Sequence, residues 1–230
     1  MTILSTDRKP RQRAPSKKSL QTRERILDAA ENLFAQRGFE GASIRDIAEA
    51  AGVPTALVNF HGGPKDALYF HIVERRAQEL SDSRLLALQR ARERNGDRPL
   101  ALRDVLACFI MPYLEKAMHE GAHWRAYARL VAQVSADERW KHISQACFDP
   151  TAQVFVEELS RLYPQADKMA VSTGFVFSVA SMLTMSTSLW RMEALGDGAG
   201  AAALFEERAQ ILLQFCEHGL DATLGKAAFS

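Results

Sequence analysis

The sequence predicts an all-α protein, and three observations carry that expectation. No run alternates apolar and polar residues with period two for long enough to build a strand. Apolar residues instead recur at three- and four-residue spacing along most of the 230 residues. The breaks between these runs hold glycine, proline and capping residues in the order that starts and stops helices. The pattern divides the chain into an arm over 1–19, three short helices over 20–66 and a larger helical part over 67–230.

The arm carries Arg8, Lys9, Arg11, Arg13, Lys17 and Lys18 against Asp7, with Pro10 and Pro15 and few apolar residues. That composition is expected to be disordered and basic, either a solubilising tail or a contact for phosphates. Arg23 and Arg25 continue the basic stretch. From about Leu20 to Arg37, Ile26, Ala30, Leu33 and Phe34 mark one face of a first helix, which Gly38 is placed to end. Ser43, with Asp46 three residues on, forms an N-cap and capping box ahead of Ile44, Ile47 and Ala48. Gly52 closes this second helix near Ala51, and Pro54 opens a third, where its missing N–H costs nothing.

The third helix is only Thr55 to His61, too short to stand alone in water. It needs packing to exist, and Ala48, Val53 and Val58 are the residues expected to supply it, leaving Thr55, Leu57, Asn59 and Phe60 outward. Two helices joined by a glycine turn, the second about two turns long, suit entry into a DNA major groove with base contacts from its first half. The Gly62-Gly63-Pro64 break then redirects the chain into a long helix over about 66–94, with Leu68, Ile72 and Leu80 at multiples of four. Further helices are expected near 100–118, 123–135, 137–147, 150–162, 167–194 and 203–221, separated by Gly121, Asp149-Pro150, Pro164 and a glycine-rich stretch at 196–200. In the last of them Leu204, Ile211 and Phe215 share one face, with Phe205 and Leu212 beside it.

The balance of charge supports a split of roles. Residues 1–76 hold 13 Lys and Arg against 9 Asp and Glu, a balance of +4, and the remainder holds 16 against 19, a balance of −3. Cys108, Cys147 and Cys216 form no CxxC pair, so free thiols in a reducing compartment are expected. Residues 1–25 lack the apolar core of a signal peptide, and a cytoplasmic location follows as an expectation. Met169 to Trp190 is uncharged and long enough to span a bilayer, yet eight of its residues are Ser or Thr. Burial in a core and against a second subunit fits that composition better than a membrane does.

The stretch "TRERILDAAENLFAQRGFEGASIRDIAEAAGV" at 22–53, followed by "VNFHGGPKDAL" at 58–68, resembles the TetR family of bacterial transcription regulators. The detailed resemblance covers roughly residues 20–70. It implies a DNA-binding regulator, a repressor by family default, that binds a palindromic double-stranded DNA operator as a homodimer and is released by a small effector. Residue by residue, it implies that Ser43 and Arg45 of the second helix and Thr55, Ala56, Leu57, Asn59 and Phe60 of the third face DNA. His61 and Lys65 fall where the family holds the DNA backbone. The family usually has an aromatic where Gly62 stands, often Ser at Pro64 and often Tyr at Asn59. Gly62 would then loosen the end of the recognition helix, and Asn59 could pair bidentately with adenine or simply be solvated.

The rest of the chain resembles the family only in its helical pattern. An apolar effector, with an acidic group as an option, is expected among the helices of 100–185. The candidate lining is Phe109, Tyr113, Trp124, Tyr127, Arg129, Phe175 and Met182, within an aromatic and methionine set that adds Met111, Phe177 and Met185. Ordinary core is the competing reading for each apolar residue, and a solvated face for Arg125 and Arg129. One motif points to another class. "HEGAH" at 119–123 satisfies H-E-x-x-H, which on one helix sets two imidazoles on one face with Glu120 as general base. A zinc-dependent hydrolase is the alternative function, but Gly121 is expected to break that helix, and only Glu138 offers itself as a third ligand. With no GxSxG, P-loop or dinucleotide turn, neither enzymatic activity nor any cofactor or metal is expected.

Overall fold

The computed structural model describes residues 16–196 and 205–225. Among them every regular element is helical. The order is α1 (Lys17–Gly41), α2 (Ile44–Ala51), α3 (Thr55–Gly62), α4 (Lys65–Asn95), α5 (Leu102–His119), α6 (Ala122–Ala136), a 3-10 turn (Glu138–Trp140), α7 (Lys141–Cys147), α8 (Asp149–Leu162), α9 (Lys168–Thr187), α10 (Leu189–Leu195) and α11 (Phe205–Leu224).

Local chemistry explains the first boundaries. Ser16 accepts a hydrogen bond from the Ser19 amide at 3.2 Å, so α1 begins at Lys17 and residues 17–19, read as arm, are helical. The arm's residues 1–15 lie outside the described part. Gly38, at φ 70° and ψ 174°, breaks the helical path inside α1 as the glycine was expected to. The chain crosses from α2 to α3 at Gly52, left-handed at φ 63° and ψ 42°, with the Val53 amide donating back to the Ala48 carbonyl at 3.0 Å.

Two boundaries differ from expectation. The stretch 137–147 opens with a 3-10 turn before α7, because Asp137 caps the Arg139 amide at 3.0 Å and tightens the start. The predicted helix 167–194 is two helices, broken at Ser188. Thr184 and Thr187 donate their hydroxyls to the carbonyls of Ala180 and Leu183, and Ser186 also donates to Leu183. The same back-bonding recurs at Thr173, Ser178 and Ser181 within the unbroken helix, and the break comes where Ser188 leaves helical geometry at φ −125° and ψ 26°.

One contiguous core runs through all of this, from Ile26, Phe34 and Ile47 in the first helices to Leu213 and Leu220 in α11. α4 is the shared strut. It packs on α1 toward its start and on α5 further along, while α6 also lies on α1 and reaches α9. Between α1 and α4 sits a buried carboxylate, Glu31, only 1% exposed. Arg75 reaches it at 2.6 Å and Arg76 at 3.3 Å, and Arg75 also pairs with Glu24 and Asp28, both at 2.9 Å. The paired carboxylates raise the Arg75 guanidinium above its ordinary value despite burial. α9 is long and apolar enough to cross a membrane by length and composition, and a third of it is buried. α9 and α11 lie side by side. Together they expose Met169, Val176, Phe177, Ile211 and Phe215, each more than half accessible. Leu204 of the expected stripe lies outside the described residues, whereas Phe205 and Leu212 face the core.

Candidate functional site

The recognition unit is built from its caps upward. The Ser43 hydroxyl accepts from the Asp46 amide at 3.1 Å, and the Asp46 carboxylate accepts from the Ser43 amide at 3.0 Å. The capping box expected from sequence is therefore closed in both directions. The Ser43 hydroxyl also donates to the Asp46 carboxylate at 2.7 Å, and this bond with the one from the Ser43 amide holds the Asp46 carboxyl below its usual range, with Arg37 and Arg45 adding to the effect. Arg25, grouped with the basic stretch in sequence, has a structural task. Its guanidinium donates to the carbonyls of Ala51 at 2.8 Å and Gly52 at 3.2 Å, clamping the end of α2 to α1.

Val58 is fully buried and seats α3, while Thr55, Ala56, Leu57, Asn59 and Phe60 are exposed along its outer side. Phe60 is 77% accessible, a large cost for an aromatic with nothing to cover it. Ser43 and Arg45 are exposed at the start of α2, and His61 is half-buried with its ring edge-on to Phe60. Lys65 packs its ammonium over the Phe39 ring at 4.4 Å, which fixes the side chain at the head of α4. Gly62 does not loosen α3. It is the buried last residue of the helix, and a Cβ built on it would sit 2.7 Å from a methyl of Leu68. The small residue lets α3 and α4 close on each other where an aromatic would hold them apart.

A cavity of about 670 Å³ lies among α4, α5, α6, α8 and α9. Five of the sequence-selected residues line it: Phe109, Tyr113, Tyr127, Phe175 and Met182. Trp124 and Arg129 do not. Trp124 is buried beside Tyr127, the two rings edge-on at 5.4 Å, but it is covered by Lys116 over its ring at 4.5 Å and Arg76 at 5.7 Å, and Arg129 points to solvent. The buried cation in the cavity is instead Arg84, which sequence reasoning missed. It lies on the same four-residue spacing as Leu68, Ile72, Leu80 and Leu88, and that spacing was the available signal. Arg84 is buried, donates its Nε–H to the Phe109 carbonyl at 2.9 Å and stacks on the Phe109 ring at 3.6 Å. Burial lowers its guanidinium to about 10, so it remains charged at neutral pH.

The H-E-x-x-H pattern lacks the geometry it needs. His119 is the last residue of α5, His123 lies in the first turn of α6, and Gly121 turns the chain between them at φ 97°. Glu120 is engaged by Lys116 at 3.1 Å. Among the described residues no three His, Cys, Asp or Glu side chains are grouped to hold a metal ion.

Comparison with known proteins matches both ends of this architecture. Residues 26–72 match the bacterial regulatory proteins of the tetR family, and residues 107–219 match the tetracyclin repressor-like C-terminal domain. The chain is 34% identical over 96 residues to the HTH-type transcriptional regulator AcrR of Shigella flexneri, covering 41% of this chain and 42% of that protein. It is 31% identical over 81 residues to the HTH-type transcriptional repressor AcnR of Corynebacterium efficiens, 34% of this chain and 43% of that one. The matched region thus spans about two fifths of the length of these curated relatives. A TetR-like transcriptional regulator from Rhodococcus sp. RHA1 shares the fold over 90% of this chain and 98% of its own, with a TM-score of 0.61 and 19% identity. The hemolysin II transcriptional regulator HlyIIR covers 77% and 93%, with a TM-score of 0.52 and 20% identity. The glycine-turned reading unit and the helical domain behind it are matched in the same order, and the chain belongs to the TetR family of bacterial regulatory proteins, DNA-binding regulators and not enzymes.

Proposed function

We propose that the protein is a ligand-responsive transcriptional repressor that binds a palindromic double-stranded DNA operator as a homodimer. The observation that carries this reading is the bare outer side of α3, with Thr55, Asn59 and Phe60 exposed on a helix seated by Val58 and joined by the Gly52 turn to α2, whose own cap at Ser43 is closed. Repression follows the name of the Corynebacterium relative, a transcriptional repressor. The partner subunit docks on the apolar side of α9 and α11, a patch too large to leave in water. Two-fold pairing sets the two recognition helices about 34–36 Å apart, one turn of duplex. The protein then works in the cytoplasm, where its operator is.

The effector is a small, largely apolar molecule in the cavity. Coupling runs through α4, which carries Leu80 and Arg84 in the cavity wall and begins directly after the recognition helix. α6 offers a second route, because it carries Tyr127 and Val131 in the cavity and packs on α1. A ligand that favours the mismatched spacing by about 1–3 kcal/mol lowers operator affinity roughly 5- to 150-fold. Selection of bound duplex from a random pool tests the reading. A palindromic consensus whose affinity falls steeply with salt supports it, and a pool that stays unenriched defeats it.

A further inference from the structure

We propose that the cavity takes an amphipathic organic acid, its carboxylate held by Arg84 and the Tyr127 hydroxyl and its apolar body against Phe109, Phe175 and Met182. This rests on the effector reading above and names its chemistry. Arg84 is a buried cation without a counter-ion. Its Nε–H is used by the Phe109 carbonyl, and one terminal nitrogen meets only the Met182 sulfur at 3.6 Å. The other terminal nitrogen, Nη1, makes no hydrogen bond, and no carboxylate pairs with the guanidinium among the described residues. Contrast Glu31 and Glu158, the buried carboxylates, each held by two arginines. A lone buried charge is costly to keep, which is the mark of a group waiting for a partner.

The tyrosines sharpen the chemistry. Tyr113 and Ser186 oxygens lie 2.7 Å apart, and Ser186 gives its own proton to the Leu183 carbonyl, so the Tyr113 proton is spent on Ser186. Tyr127 is fully buried, and its hydroxyl has no partner among the described residues. Burial pushes both phenols upward, Tyr113 to about 12, so each stays a neutral donor rather than a phenolate that could neutralise Arg84. Arg84 lies close enough to oppose that rise on both. The free guanidinium edge is charged and offers donors only, and the free hydroxyl can add a further donor beside it, which favours an anion over an amine or a neutral polar head. The other charged residues of the cavity, Asp149, Glu157 and Lys168, belong to its more accessible side and bring two negative charges and one positive. They disfavour an acid placed head-outward and so orient it with the carboxylate at Arg84.

Calorimetric titration of the full chain without DNA tests this, using decanoate, dodecanoate and naphthoate beside the primary amide of each. The expected result is acid binding at least about tenfold tighter than amide binding. Arg84→Met should bring the acid and amide affinities level. Tyr127→Phe, which removes only an unpartnered hydroxyl and leaves the fold intact, should weaken the acids by about three- to tenfold and leave the amides unchanged. Aliphatic and aryl acids are separate arms, and either one supports the proposal. Equal affinity for acid and amide in the wild type, a preference that survives Arg84→Met, or no binding by any acid overturns it. Acid binding that depends on Arg84 but leaves operator affinity unchanged would sink the repressor switch and keep this site. Operator release by a neutral compound alone would do the reverse.

Discussion

On the proposed function, Asn59 and Lys65 divide the work of DNA binding between reading and holding. Asn59 is exposed on the outer side of α3, and Asn59→Ala is expected to cost about 1–3 kcal/mol at one operator position while relaxing preference there. Lys65→Ala should weaken every sequence alike and flatten the salt dependence by about one counterion in mobility-shift titrations. Because Lys65 also covers Phe39, the variant should lose a further ~0.5–1 kcal/mol of fold stability, separable by urea unfolding without DNA. Asp46 makes a pH-dependent contribution of the opposite kind. Its folded value is depressed below the ordinary 3.8, so the cap's stabilisation is complete above that pH and is lost as pH falls through the folded value. Urea midpoints of wild type and Asp46→Asn should therefore differ at neutral pH and converge in acid. A gap that persists at the lowest pH would show that the carboxylate's charge is irrelevant to the cap.

At the scale of elements, the bond between α1 and α4 matters most. Glu31→Gln removes the buried charge shared by Arg75 and Arg76, and it should cost about 2–4 kcal/mol in urea unfolding. The loss stays below that of a fully stranded pair because Glu24 and Asp28 still hold Arg75. The boundaries of α2 and α3 were legible in the sequence because caps and glycine turns are local: Ser43, Asp46, Gly52 and Pro54 act within a few residues of themselves. Partners across the fold were not. Helical spacing put Trp124 and Tyr127 on neighbouring positions of one helix, yet it could not say that one lines the cavity while Lys116 covers the other. Arg84 sits in a stretch dense with charge, "ERRAQELSDSR", which reads as a solvated face. Only the four-residue line through Leu80 and Leu88 sets it apart, and Arg76 shares that line. The break at Ser188 was hidden for a related reason, since the uncharged run keeps a helical composition straight through it.

At the scale of the whole molecule, subunit pairing is the quantity most open to direct measurement. Phe177 and Phe215 are each 68% exposed in the single chain, so replacing both with glutamate should leave the fold of each subunit intact. Sedimentation should show dimers for wild type at micromolar concentration and monomers for the double variant, with operator affinity falling in step. A wild-type monomer would remove the basis for a two-fold operator. The length of α4 has a consequence of another kind, for how such proteins acquire new targets. Its first residues fix the recognition helix, its middle holds Glu31 through Arg75 and Arg76, and its next turns line the cavity. A recombination joint placed at the Gly-Gly-Pro break would deliver a foreign reading head onto Arg75 and Arg76 without their acidic partner unless the donor also carried a carboxylate at position 31. With donors that lack that carboxylate, hybrids of this chain should therefore be less stable in urea unfolding when the crossover falls before Arg75 than when it falls beyond Arg76, which makes one buried glutamate the compatibility mark for inheriting a new operator.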